Sequence, residues 1–156
     1  MPRRLSDIPD GYYAVADPDH PGTITYWRMH QHPKRGRVLD PWPAKARYGP
    51  VAWRKDTPRD PAAKKRHLEA FWARRGAWNW KIRKAIMRDP AAAQLRFSQF
   101  STRCGCCAKV LRDDLSKVLG RGSKCRKGVD QAALAARNTP LIGQAHARHL
   151  TRTGAS

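Results

Sequence analysis

The sequence predicts an α+β protein built from a small N-terminal antiparallel sheet, central helices and a C-terminal cysteine module. Three observations support this. Runs of β-branched and aromatic residues alternate with turn formers at the start, helical spacing with Asp-Pro pairs follows, and all four cysteines lie within 22 residues of one another. We expect a β-rich module at 1–58, a basic helical segment at 59–100, the cysteine module at 101–137 and a basic flexible tail at 138–156.

Two segments, residues 11–15 and 23–29, have the composition of β-strands, and a dense cluster of Asp, Pro and Gly separates them. In the second segment Ile24, Tyr26 and Arg28 share one face, and Thr23, Thr25, Trp27 and Met29 share the other. We expect one of these two faces to be buried. Residues 37–39 and 51–53 are shorter strand candidates. Repeated prolines prevent longer strands, so the sheet should be small.

Two Asp-Pro pairs, at 60–61 and 89–90, carry the signature of a helix N-cap followed by proline in the first turn. The first predicts a helix that ends at Gly76, with Leu68, Phe71 and Trp72 as its apolar stripe. A second helical segment follows at 78–88. The second pair predicts a short helix at 90–95, and weak amphipathicity predicts another within 128–137.

The chain of 156 residues holds 32 Lys and Arg against 12 Asp and Glu, for a formal net charge of +20. Residues 61–156 carry +16 of that charge. The mean hydropathy of -0.75, the lack of a long apolar run and the lack of a secretory signal argue against a membrane or secreted protein. A charge this high predicts a polyanionic partner, so we expect a cytoplasmic protein that binds nucleic acid.

The cysteines of an intracellular protein more often hold zinc than form a disulfide framework. Cys104 and Cys107, two residues apart, match the first half of a zinc knuckle, and Cys125 would supply the third ligand. The spacing therefore predicts a zinc-knuckle-like module.

The fourth zinc ligand stays open in the sequence, because no second pair of closely spaced cysteines follows. The candidates are Cys106, an Asp, or a histidine: His146 or His149 in the tail, and His30 or His32 in the front sheet.

From Cys104 to Cys125 the sequence resembles a short, uncharacterised cysteine domain family of actinobacteria and their bacteriophages. Its pattern is Cys-Gly-x-Cys-Gly-Arg-x-Leu-Thr-Asp-Pro-x-Ser, three residues, then Gly-Ile-Gly-Pro-x-Cys. The positions that match without a gap are Cys104, Gly105, Cys107, Leu111, Asp113, Ser116, Gly120, Gly122 and Cys125. This specific match covers about a seventh of the chain. The resemblance implies a zinc site and a phage or actinobacterial host cytoplasm, and it implies no established activity.

The chain departs from that pattern at several turn positions. Ala108 and Lys109 stand where the family has Gly and Arg, and Arg112 and Arg121 replace Thr and Ile. Asp114 and Ser123 replace the two prolines. The metal-binding frame is kept, whereas the turn geometry differs and the module becomes more cationic.

Two basic patches are candidate nucleic-acid contacts, since cations neutralise phosphates and an exposed indole can stack on an unpaired base. We expect Trp78 to belong to the core. The first patch comprises Arg74, Arg75, Trp80, Lys81, Arg83 and Lys84. The second surrounds the cysteines and comprises Arg112, Lys117, Arg121, Lys124, Arg126 and Lys127.

Catalysis has little support in the sequence. No His-x-Glu motif accompanies the cysteines, no phosphate-binding loop or dinucleotide fingerprint occurs, and Glu69 is the only glutamate. We therefore expect a non-enzymatic protein with salt-sensitive binding to DNA or RNA. The alternative is an interaction protein that docks on host machinery, such as RNA polymerase or the ribosome, and modulates it.

Overall fold

A computed structural model describes residues 4–136 and 138, and its architecture is α+β, as the sequence predicts. The strands are β1 (Gly11–Ala16), β2 (Ile24–His32) and β3 (Gly36–Pro41). The helices are α1 (Pro61–Arg88), α2 (Pro90–Ser101) and α3 (Asp114–Leu119), with 3-10 turns at Leu5–Asp7 and Arg54–Asp56 and a further helical stretch at 131–136. Of the described helices, none is both long enough and apolar enough to cross a bilayer.

The three strands form an antiparallel sheet in the order β1-β2-β3, with Tyr13 opposite Trp27 and Met29 opposite Leu39. Thr25, Trp27 and Met29 are all buried, so the second strand has one buried face, as predicted, and the structure shows that it is the face of these three residues. The predicted strand at 51–53 is absent, and a 3-10 turn follows that segment instead. Pro50 precedes it, and proline cannot donate to a strand ladder.

The main core lies between the sheet and α1. Tyr13, Val15, Trp27 and Met29 project from the sheet onto an apolar stripe of the helix. The members of that stripe are Trp78, Ile82 and Ile86, at spacings of four residues. The prediction that Trp78 belongs to the core is confirmed.

The first long helix does not end at Gly76, contrary to the sequence prediction. It runs unbroken for 28 residues from its N-cap at Asp60, whose Oδ2 accepts the Ala63 N–H at 2.9 Å. A glycine inside a helix costs about 1 kcal/mol relative to alanine. Burial of Phe71 on one side of Gly76 and of Trp78 on the other outweighs that cost, because both side chains lie on the same helical face.

The second helix and the cysteine module cover the opposite side of the sheet and the free edge of β1. The Phe97 ring of α2 stacks on Tyr12 with ring centroids 5.2 Å apart. The Tyr12 N–H donates to the Gly105 carbonyl at 2.7 Å. Asp89 caps α2 through the Ala92 N–H, and the helix extends to Ser101, beyond the predicted end at Leu95.

Candidate functional site

Three cysteine sulfurs converge beside the edge of the sheet. The Sγ atoms of Cys104, Cys106 and Cys125 all lie within 4.8 Å of one another, and this trio is called the thiol cluster below. Such sulfurs can reach a single ion at a metal–sulfur distance of about 2.3 Å with small side-chain rotations. The thiol cluster therefore could hold a metal ion.

A tight reversal of the chain brings the first cysteines together. The Cys104 N–H donates to the Lys109 carbonyl, and the Ala108 N–H donates back to the Cys104 carbonyl, both at 2.8 Å. Ala108 adopts a left-handed conformation with φ of 59°, at the position where the resembled family has glycine. The segment 109–111 forms a single bridge, between Val110 and Arg103.

The third sulfur returns through a glycine turn after α3. Asp113 caps this helix through the Ser116 N–H at 2.9 Å, and Gly120 ends it with φ of 69°. The Gly105 N–H donates to the Gly120 carbonyl at 3.0 Å, which ties the two loops together. A Cβ atom at Gly120 would lie 2.5 Å from the Ser98 hydroxyl, so the close approach also requires glycine.

The thiols of the cluster differ in pKa because hydrogen bonds among them favour the thiolate at Cys104 and the protonated thiol at its neighbours. The Cys104 sulfur accepts hydrogen bonds from the Cys106 S–H and from the backbone N–H groups of Gly122, Cys106 and Cys107. These bonds outweigh the effect of burial and lower the pKa of Cys104 to about 4. The hydrogen bond to Cys104 and burial raise the pKa of Cys106. Burial, followed by hydrogen bonds to Cys107 and Cys104, raises the pKa of Cys125 to about 11. A cation would instead favour several thiolates at once.

The other proposed zinc ligands have different placements. Cys107 lies outside the trio and is exposed, although the Cys125 thiol hydrogen-bonds to it. His30 contacts Asp40, with Nε2 and Oδ2 2.9 Å apart, and His32 accepts the N–H groups of two turn residues. His146 and His149 lie outside the described residues. Cys106, one of the alternatives for the fourth ligand, is thus a member of the cluster.

The first predicted basic patch lies on α1 and is largely exposed. Arg74, Lys81, Arg83 and Lys84 are exposed, as is the Trp80 indole at 54% of its surface. Arg75 differs from these residues. Its guanidinium donates to the carbonyls of Tyr48 and Pro50 and lies 5.1 Å from the Trp78 ring centroid, so Arg75 attaches the preceding loop to the helix.

The second predicted patch divides into exposed and half-buried members. Arg121 donates to the Gln94 side chain at 3.3 Å, and its charge partly opposes the rise in the pKa of Cys106, so it acts on the thiol cluster. Arg126 is also half-buried, and its charge contributes to lowering the Asp113 pKa. The exposed members are Arg112, Lys117, Lys124 and Lys127.

The sequence predicts that Trp72 belongs to an apolar stripe, and this prediction missed Trp72 as a candidate binding residue. The structure leaves 64% of this side chain exposed, two helical turns from Trp80. The missed signal is the spacing from Phe71 to Trp78 to Ile82, which is one continuous helical stripe once Gly76 is allowed inside the helix. Trp72 and Trp80 lie on the outer side of that stripe.

A second group missed in the sequence is a set of rings on the α2 side of the sheet. The Trp42 ring packs edge-on against Tyr12 and Tyr26, with centroids 6.0 and 6.1 Å apart. Arg28 lies 5.8 Å from the Tyr12 ring centroid, and Arg103 lies 5.7 Å from that of Trp42. These cation–π contacts join residues that are far apart in the chain, so no local sequence pattern predicts them.

A pocket of about 420 Å³ adjoins the thiol cluster. Its walls are the chain reversal after Cys107 and the loop that leads into Cys125, and both thiols line it.

No family model, curated protein or solved structure matches this chain.

Proposed function

We propose that this protein binds nucleic acid mainly through its phosphate backbone, with a structural zinc ion in the cysteine module. One observation carries the proposal: a long, unbroken helix presents a strongly cationic outer face with two exposed indoles. The cationic outer face is defined here as the exposed residues Lys65, Arg66, Trp72, Arg74, Trp80, Lys81, Arg83, Lys84 and Arg88.

The charge on this face favours a polyanion over a folded protein partner of mixed charge. Among the described residues, its only ion pair joins Lys65 to Glu69, at 4.0 Å, and Glu69 is the only acid within α1. The helix is about 42 Å long, so its cations can follow many successive phosphates, which lie about 1.7 Å apart along a duplex axis. Neutralising those phosphates releases counterions and makes binding sensitive to salt.

The two indoles favour unpaired bases. Trp72 and Trp80 are separated by two turns of α1, about 12 Å, and both are more than half exposed. Stacking of a base on an exposed aromatic ring contributes about 1–3 kcal/mol and tolerates any base sequence. We therefore infer a preference for single strands over duplexes.

Zinc suits the thiol cluster because sulfur is its preferred structural ligand and a closed sulfur site needs no open coordination position. Cys104, Cys106 and Cys125 would hold the ion, and Cys107, which hydrogen-bonds with Cys125, is the thiol that would complete four ligands. Bound zinc would close the loop between Cys104 and Cys125 and contribute on the order of 10 kcal/mol to folding.

The test is the affinity for labelled single-stranded DNA, single-stranded RNA and duplex DNA, measured by fluorescence anisotropy from 50 to 200 mM salt. With about six phosphate contacts, affinity should fall about a thousandfold for duplex and a few hundredfold for single strands. An affinity that does not change with salt would overturn the proposal. Salt-independent capture of RNA polymerase or ribosomes would support the alternative, a protein that docks on host machinery.

A further inference from the structure

The pocket beside the thiol cluster has no role in the proposed function so far. Its volume of about 420 Å³ falls within the usual range for small-molecule sites, about 300–1,000 Å³. It is lined by residues of two segments, 107–113 and 122–125, together with Ser116 of α3.

Backbone hydrogen bonds hold both walls. In the first, the Cys104 N–H reaches the Lys109 carbonyl at 2.8 Å and the Leu111 N–H reaches the Thr102 carbonyl at 2.9 Å. In the second, the Arg126 N–H donates to the Gly122 carbonyl at 3.1 Å. The pocket therefore belongs to the folded frame of the cysteine module.

The charge of the pocket is positive. Lys109, Arg112 and Lys124 line it, and none of them forms an ion pair with another described residue. Asp113 is the one acidic residue of the lining, and both of its carboxylate oxygens already accept hydrogen bonds from Ser116, at 2.9 and 2.6 Å. The lining thus offers three cations to an anionic group and one acid that is already engaged.

The lining also has an apolar part. Leu111 is buried at the base of the first wall, whereas the Val110 side chain is 51% exposed. A ligand that matches both parts needs an anionic group and a compact group with an apolar face, such as a planar heteroaromatic ring, within one molecule. Phosphate alone would leave the apolar part uncovered, and a neutral ring alone would leave three cations without a counter-charge.

We propose that this pocket binds one nucleotide, with its phosphate against Arg112 and Lys124 and its base against Val110. The proposal deepens the proposed function and rests on it: the nucleotide would be one unit of a bound nucleic-acid strand. The pocket would then add a specific contact to binding that is otherwise driven by the backbone.

The experiment titrates the zinc-loaded full chain with AMP and UMP by calorimetry, and with adenosine and inorganic phosphate as partial ligands. We expect a nucleotide to bind at least tenfold more tightly than either part. The pocket variant Arg112→Ala/Lys124→Ala should lose at least tenfold in nucleotide affinity. The matched control Lys45→Ala/Arg47→Ala also removes one Lys and one Arg, both exposed and outside the pocket lining and the two basic patches, and should change the nucleotide affinity less than twofold.

Zinc content and circular dichroism establish that each variant is folded. Three results would overturn the pocket assignment: neither nucleotide binds at millimolar concentration, phosphate binds as tightly as a nucleotide, or the control loses as much affinity as the pocket variant.

A third variant separates this proposal from the proposed function. Lys81→Ala/Lys84→Ala, on the cationic outer face, should weaken oligonucleotide binding and leave the affinity for AMP unchanged. If AMP binds in the pocket but no oligonucleotide binds, the proposed function fails and the pocket stands. If oligonucleotides bind and no nucleotide does, the pocket assignment fails alone.

Discussion

The backbone N–H of Tyr12 donates a 2.7 Å hydrogen bond to the carbonyl of Gly105, which lies between the first two cysteines. Tyr12 belongs to β1, an edge strand whose outer hydrogen-bonding groups would otherwise be unpaired. The same carbonyl accepts the Gln94 side-chain N–H at 2.9 Å. The cysteine module therefore packs on the sheet through the peptide that positions its sulfurs.

Replacing Gly11 should weaken this junction. Gly11 has a φ of 148°, and a Cβ atom there would lie 2.6 Å from the Gln94 Nε2 atom and 2.7 Å from the Gly105 oxygen. We expect Gly11→Ala to lower the free energy of unfolding by about 1–3 kcal/mol, measured by urea denaturation. Gly22→Ala is the control, because no atom lies within 4 Å of its Cβ position. Equal stability of the two variants would contradict the packing described.

Replacing Gly76 should have the opposite effect. This residue is exposed, lies inside α1 and has open space at its Cβ position. Gly76→Ala should raise the free energy of unfolding by about 0.5–1 kcal/mol, since alanine loses less backbone entropy in a helix. Urea denaturation and helical circular dichroism measure this. A loss of stability would mean that the helix is interrupted at this position.

Replacing Cys104 should remove zinc and destabilise the cysteine module. For Cys104→Ser we expect loss of stoichiometric zinc by elemental analysis and a lower thermal midpoint, since metal binding contributes to folding. A chelator should lower the midpoint of the unaltered protein and leave that of the variant unchanged. Cys107→Ser tests the fourth ligand and should weaken zinc binding less. Protein that is purified without metal and does not respond to the chelator would refute the zinc assignment.

Replacing the two exposed indoles of α1 should weaken single-strand binding. Trp72→Ala and Trp80→Ala should each lower the affinity by about 5- to 150-fold, which corresponds to 1–3 kcal/mol per stacked base. Anisotropy measures the affinity. Trp53→Ala is the matched control, since this indole is 60% exposed but lies outside α1. Equal losses in all three variants would show that the indoles of α1 have no special role.

Alkaline pH should destabilise the fold through Tyr13. This side chain is buried and its hydroxyl donates to the Pro9 carbonyl at 2.6 Å. Burial, with a smaller contribution from Cys106, raises the pKa of Tyr13 from 10.0 to about 12. The neutral phenol is therefore favoured in the folded state, and its contribution is complete below pH 10 and is lost as the pH rises towards 12.

Urea denaturation of the chelator-treated protein at pH 9 and 11.5 tests this prediction. Between these values the unaltered protein should lose about 1–2 kcal/mol more stability than Tyr13→Phe, because phenylalanine has no proton to lose. Groups that do not interact with Tyr13 titrate equally in both proteins, and their contributions cancel. An identical pH dependence of the two proteins would exclude Tyr13 as the cause.

Local signals predicted most elements of the fold. The Asp-Pro pairs at 60–61 and 89–90 begin helices because the Asp side chain accepts a hydrogen bond from a nearby backbone N–H. The proline lacks an N–H, but the first turn of a helix has no intrahelical partner for that N–H in any case. Alternation predicted that one face of β2 is buried, and the structure shows that this is the face of Trp27 and Met29. Reliance on local signals also explains why the predicted helix end at Gly76 is wrong. A local rule cannot compare the free energy gained by burying Trp78 with the cost of one glycine inside a helix.

Local sequence rules predicted the thiol cluster and the basic patches less well than the fold. Spacing identified Cys104 and Cys125 as candidate partners, and the structure brings their sulfurs together. It favoured Cys107 over Cys106, whereas the chain reversal at Ala108 places Cys106 in the cluster. Arg75 does not belong to the exposed patch, because its guanidinium donates to the carbonyls of Tyr48 and Pro50, which are distant in sequence.

The amino-acid sequence alone determined the charge of this protein, its order of strands and helices, and the segment that holds its cysteines. These properties depend on composition and on neighbours a few residues apart. Only the tertiary structure decided which indoles are exposed, which sulfurs meet and which cations remain free. Each of those outcomes depends on contacts between segments that are remote along the chain, where packing and backbone reversal select among alternatives that are equivalent locally.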